Sequence, residues 1–210
     1  MRIKTLLAVA ALTAAGLATS MAQNVYSLNV VGYYNVTVPA GKYALIANQL
    51  VQTNSTVANV LASVPAGTTV LKWTGTGFAP NTYNGPDIGW DDPTMTVQPG
   101  EGFFIQNTTT SDFTVTFVGE VDQNSETIQL TAGKYSLVSL FTPQQGDIQA
   151  DFGYTPNDGD TILPWSGSSY SPDSYAAGIG WDYPPVVHVG DGFFIKPAKD
   201  NTWTRQFTVQ

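Results

Sequence analysis

Gly100-Glu101-Gly102-Phe103-Phe104-Ile105 returns as Gly190-Asp191-Gly192-Phe193-Phe194-Ile195, 90 residues later. A turn held between two glycines leads each time into an apolar strand. Side chains of a strand alternate between faces, so Phe103 and Ile105 share one face and Phe104 takes the other. A strand apolar on both faces is central in its sheet or covered by another element.

Outward from this strand, further blocks recur in the same order. Ala40-Gly41-Lys42-Tyr43 returns as Ala132-Gly133-Lys134-Tyr135, and Leu71-Lys72-Trp73-Thr74-Gly75 as Leu163-Pro164-Trp165-Ser166-Gly167, both 92 residues on. Phe78 matches Tyr170 and Tyr83 matches Tyr175. Ile88-Gly89-Trp90-Asp91 returns as Ile179-Gly180-Trp181-Asp182 at an offset of 91. A period drifting by only two residues while the order holds is an internal repeat.

Each unit reads as mainly β. Val36 and Val38, or Ile128 and Leu130, open it with strand alternation. An Ala-Gly turn leads to a second strand, Tyr43 to Ala47 or Tyr135 to Ser139. A short helix follows in each repeat. Ser55 is its cap in the first, with Val57, Val60, Leu61 and Val64 on one face. Asp147 takes the cap position in the second, with Ile148 and Phe152 four apart. A Trp strand, a long Gly-Trp-Asp loop, the Phe-Phe strand and a Thr-rich strand complete the unit. The expected fold is two similar small sandwich- or barrel-like β domains, with Trp73 and Trp165 in their cores. The division is a signal peptide at 1–22, an extra N-terminal strand at 23–34, repeat one at 35–120 and repeat two at 121–210.

The N-terminus carries the export pattern. Arg2 and Lys4 precede an apolar run from Leu6 to Leu17, and Ser20-Met21-Ala22 is a small-x-small cleavage site. The run is shorter than the ~20 residues of a membrane anchor, so no membrane insertion is expected after cleavage. Loss of Arg2 and Lys4 takes the formal charge from −8 to −10. That acidity repels phosphate backbones and argues against nucleic-acid partners. Cysteine is absent, which excludes disulfides and cysteine-based zinc sites.

Catalysis finds little support. His188 is the only histidine and no Gly-x-Ser-x-Gly elbow accompanies it. Glu101 and Asp191 sit in glycine turns, where solvated acids are ordinary. Asp158-Gly159-Asp160 resembles part of a calcium loop but lacks the full spacing and terminal bidentate acid; no cofactor is expected. The repeated aromatics are the remaining lead. Tyr83, Trp90 and Asp91, with Tyr175, Trp181 and Asp182, form two equivalent sets in which a polar-edged ring beside a carboxylate could bind a sugar face. The competing reading makes the rings packing residues and the acids acceptors of loop N–H groups.

Together, the Gly-Lys-Tyr strand, the Trp strand, the Gly-Trp-Asp loop and the Gly-[Asp/Glu]-Gly-Phe-Phe-Ile strand resemble a group of uncharacterised exported bacterial tandem β-domain proteins. Tyr26-Ser27-Leu28-Asn29-Val30-Val31-Gly32-Tyr33 is similar to their mature N-termini. The resemblance implies the fold unit rather than an activity. Many members carry a C-terminal sorting tail, and stopping at Gln210 weighs against such anchoring.

The first functional expectation is a non-catalytic, secreted structural or cell-surface protein, with self-association by strand addition open to it. The second is a carbohydrate-binding module for extracellular polysaccharide that uses the loop aromatics. A hydrolase is third. Extracellular or cell-surface localisation is expected, with the periplasm as the alternative. The strand-addition idea rests on Ser27-Leu28-Asn29-Val30-Val31-Gly32. This stretch echoes Thr114-Val115-Thr116-Phe117-Val118-Gly119, the closing strand of repeat one.

Overall fold

The computed structural model describes residues 30–207; the expected leader at 1–22 and residues 23–29 of the expected extra strand lie outside them. The first half runs β1 (Val31–Val38), β2 (Tyr43–Ala47), α1 (Val57–Val60), β3 (Thr69–Trp73), β4 (Phe78–Thr82), β5 (Gly102–Gln106) and β6 (Phe113–Glu120). The second runs β7 (Ser125–Leu130), β8 (Ser136–Ser139), β9 (Gly146–Asp147), β10 (Thr161–Pro164), β11 (Asp173–Ala176), β12 (Gly180–Trp181), β13 (Val186–Val187), β14 (Gly192–Lys196) and β15 (Asn201–Gln206).

The protein is mainly β, and the strand orders of the halves correspond. β2-β5-β3-β4 forms one sheet, and β8-β14-β10-β11, extended by β12, forms the other. Ile46 opposes Phe103 and Leu71 opposes Phe104; Val138 opposes Phe193 and Leu163 opposes Phe194. A two-stranded antiparallel ribbon accompanies each sheet, β1 with β6 and β7 with β15. No break falls at residues 34–35. Tyr34 and Asn35 lie inside β1, which pairs with β6 along its whole length.

Each ribbon closes a two-layer core. In the first half, Tyr34 and Phe117 from the ribbon meet Ile46, Phe103 and Ile105 from the sheet, with Val57, Val60, Leu61 and Val64 alongside. In the second, Leu130 and Trp203 meet Val138, Phe193 and Ile195, with Ile148, Phe152 and Tyr154 alongside. The sheets remain open, so the arrangement is sandwich-like and the barrel alternative is corrected.

The expectation of one helix per repeat is corrected as well. Among the described residues only α1 forms, and its N-cap is Thr56 rather than Ser55, with no side-chain cap bond. In the second half Asp147 does act as a cap, accepting the N–H groups of Gln149 and Ala150 at 2.7 and 2.8 Å. The chain nevertheless stops after one turn, and Gly153 follows in a left-handed conformation (φ 68°). Ile148 and Phe152 are too few apolar contacts to offset the cost of helix nucleation.

The second face of the Phe-Phe strand decides the overall architecture. Phe104 and Phe194, with Leu45 and Leu137, form a third buried cluster between the halves. Each sheet is covered by the other on this face. Trp73 and Trp165 therefore lie at the interface, half-buried, rather than in the core of either half. Strand alternation places them there, because they share a face with Leu71 and Leu163. Trp73 donates Nε1–H to the Tyr135 carbonyl (3.0 Å) and Trp165 to the Tyr43 carbonyl (3.3 Å). The backbones also cross over: Ala47 N–H donates to Gly190 and Ser139 N–H to Gly100, at 2.9 and 3.0 Å. Two glycines permit this approach. A Cβ on Gly102 would sit 3.0 Å from the Val138 carbonyl oxygen, and one on Gly192 would sit 3.0 Å from that of Ile46.

Tyr34 gives the fold a pH-dependent element. Its buried hydroxyl donates to the Ala47 carbonyl (2.7 Å) and accepts the Gln49 N–H (2.8 Å). Burial pushes its pKa well above the ordinary tyrosine range, and the same holds for Tyr154. The unfolded chain then releases these protons first. Their contribution to stability is complete below about pH 10, the unfolded tyrosine value, and falls as pH rises beyond it. Urea unfolding across this alkaline range should show the decline, and Tyr34→Phe should flatten it. An identical pH profile in Tyr34→Phe would refute the assignment.

Candidate functional site

The two aromatic sets fold as two similar loops. Tyr83 bridges to Trp90, with ring centroids 5.5 Å apart. Tyr175 pairs with Trp181 through β11 and β12, with centroids 5.4 Å apart. The acids brace these loops. Asp91 accepts the Thr82 N–H (3.2 Å) and the Asn84 side-chain amide (2.8 Å). Asp182 accepts the Ser174 N–H (3.3 Å). Carboxylates bonded in this way fill backbone donors that the loop would otherwise leave unpaired.

The sets differ in access. Trp90 is 6% exposed and packs into the first core, with Tyr83 against it. Trp181 is half-buried at the margin of the second core. It donates Nε1–H to the Gln149 side chain at 3.0 Å, and its neighbour Tyr183 is 75% exposed. No ring contact or hydrogen bond among the described residues joins one set to the other.

The remaining acids have local roles. Glu101 accepts the Gln98 N–H (3.2 Å) and pairs with Lys72 (3.0 Å). Asp191 accepts the His188 N–H (2.9 Å) and lies 3.1 Å from its ring. Asp160 is fully buried. It accepts the Tyr154 hydroxyl (2.6 Å) and the N–H groups of Asn157 and Ala198 (2.8 and 2.7 Å). Asp158 accepts the Ala177 N–H (2.9 Å). Among the described residues no group of three His, Cys, Asp or Glu side chains is placed to hold a metal ion.

No family model, curated protein or solved structure matches the chain. The functional reading therefore rests on the surface itself.

Two surface features escaped the sequence reading. A small cleft of about 250 Å³ at the interface is lined by Trp73, Phe78, Tyr135, Leu163, Tyr170 and Phe194. It arises from the docking of the halves, which no local pattern announces. A larger groove of about 580 Å³ runs beside β6, walled by Gln52–Asn54 and the segment from Asn59 to Val64. A signal for the groove did exist. Val38 pairs with Phe113 and Leu130 with Asn201, so Val115 corresponds to Trp203. The first half has a small side chain where the second has an indole.

Proposed function

We propose that this is an exported, non-catalytic structural or cell-surface protein whose copies associate through the β1–β6 ribbon. One observation carries the reading: the solvent face of that ribbon bears an exposed apolar patch at its Val31 end. Val31, Tyr33 and Val118 are 67%, 75% and 51% exposed, and Tyr33 and Val118 are direct cross-strand partners. The corresponding positions of the other half carry Gln123, Ser125 and Gln206. An apolar patch at a sheet margin is a common site of association. Export is supported by the Arg2/Lys4 region, the apolar run and the Ser20-Met21-Ala22 site. Among the described residues no helix is long and apolar enough to cross a membrane.

Sedimentation velocity of the chain from Gln23 onward tests this. Oligomers should grow with concentration, and Tyr33→Lys should shift the distribution toward monomer. A chain that stays monomeric at high concentration removes this reading.

Carbohydrate binding is the second reading, supported by half-exposed Trp181 beside Tyr175 and Tyr183. Soluble polysaccharide should then alter tryptophan fluorescence, and Trp181→Ala should abolish the change. Equal responses in the two proteins would exclude that loop.

A further inference from the structure

The outer edge of β6 is an unfinished sheet. Val121 N–H donates to the Val30 carbonyl (2.7 Å). Antiparallel partners alternate between bonded and non-bonded pairs, so Phe113, Val115, Phe117 and Gly119 direct their backbone groups toward β1. Thr114, Thr116 and Val118 direct theirs away. Glu120 follows this phase, exchanging two 2.8 Å bonds with Val51 on the outer side. Beyond Glu120 the pairing ends. The Val118 carbonyl accepts the Gln52 side chain (2.7 Å). The outward N–H and C=O groups of Thr114 and Thr116, and the Val118 N–H, have no partner among the described residues. The groove of about 580 Å³ lies against these groups.

The second half shows how such a groove is closed. Trp203 fills the position of Val115 and donates to the Phe152 carbonyl (2.8 Å). Arg205 lies over the Phe152 ring, 4.4 Å from its centre, and donates to the Asp151 carbonyl (3.2 Å). The first half lacks all three closures.

We propose that this groove accepts residues 23–29 of a second copy as an added antiparallel strand. The inference rests on the self-associating reading above and adds to the face of the ribbon a contact at its edge. Gln23-Asn24-Val25-Tyr26-Ser27-Leu28-Asn29 carries no charged side chain and no proline. Its alternation puts Tyr26 and Leu28 on one face of a strand, suited to the apolar wall of Val60, Leu61 and Val64. Seven extended residues reach about 23 Å, and the edge from Thr114 to Val118 is about 17 Å long. Within one chain, β1 lies on the side of β6 opposite the groove, and the Val51–Glu120 pairing closes the near end of the edge. A donor from another molecule meets no such obstacle. Main-chain bonds would supply affinity and the two apolar side chains register. The contact joins different surfaces of the two molecules, so it propagates into a chain of copies unless a ring closes.

The test uses the chain from Gln23 onward, with a synthetic peptide of residues 23–29 as competitor. Thr116→Pro removes an outward N–H and leaves the backbone bonds to β1 in place, a tolerated position for proline in an edge strand; it also removes the hydroxyl bond from Thr116 to the Asn35 side chain (2.7 Å), for which Thr116→Val is the control. Ser63→Trp fills the groove from its exposed rim and decides the matter if the proline variant misfolds. Thr116→Pro, Ser63→Trp and deletion of 23–29 should each weaken self-association roughly tenfold or more, and the peptide should compete. Association that persists in the groove variants and ignores the peptide overturns the groove contact but leaves self-association standing. A wild-type chain that never associates overturns both.

Discussion

Phe104→Ala is expected to lower the free energy of unfolding by about 3–5 kcal/mol, and Phe194→Ala by a similar amount. Both rings are 5% exposed. Each lies edge-on to a tryptophan of the opposite half, Phe104 to Trp165 and Phe194 to Trp73, with centroids 5.1 Å apart in both pairs. Truncation removes the transfer energy of the ring and leaves a cavity between two sheets whose backbones are already tied together. A double-mutant cycle of Phe104 with Trp165 should give a coupling of about 0.5–1.5 kcal/mol. Urea denaturation supplies both numbers. The intact protein should also unfold in one transition, since neither sheet keeps its second face covered without the other. Two separate transitions, or a loss below about 1 kcal/mol, would show that the halves do not depend on this contact.

Asp160→Ala should destabilise by about 3 kcal/mol, because it removes a buried carboxylate that accepts three donors at once, the buried Tyr154 hydroxyl among them. Thr68 provides the internal control. It occupies the equivalent position in the first half and is equally buried, but its hydroxyl has no partner. Thr68→Val should therefore be close to neutral, since it removes an unsatisfied polar atom at nearly constant volume. Comparing the two substitutions by urea unfolding separates the value of the hydrogen-bond network from the value of the position. A small effect at Asp160, or a large one at Thr68, would refute this account.

The repeated loop acids looked equally available for sugar chemistry or for bracing a backbone. Asp91 and Asp182 each hold an N–H from the preceding strand. The repetition of Trp90 as Trp181 did not convey that one ring is buried while the other remains half-exposed. That difference depends on what packs around each loop.

Much of this protein is legible in one dimension. The mainly β character and the turns at Gly100 and Gly190 follow from period-two alternation and turn residues. These signals act over a few neighbouring residues and survive without knowledge of the rest of the chain. The helix expected near Ile148 and Phe152 failed because a local pattern was asked to outweigh the cost of nucleation. The fate of Phe104, Phe194, Trp73 and Trp165 could not be read this way, since alternation says that a face is apolar but not what covers it. Likewise, the groove beside β6 exists because Val115 leaves room that Trp203 fills in the other half. Coverage and vacancy are properties of surfaces brought together from distant parts of the chain, and only the packed structure specifies them.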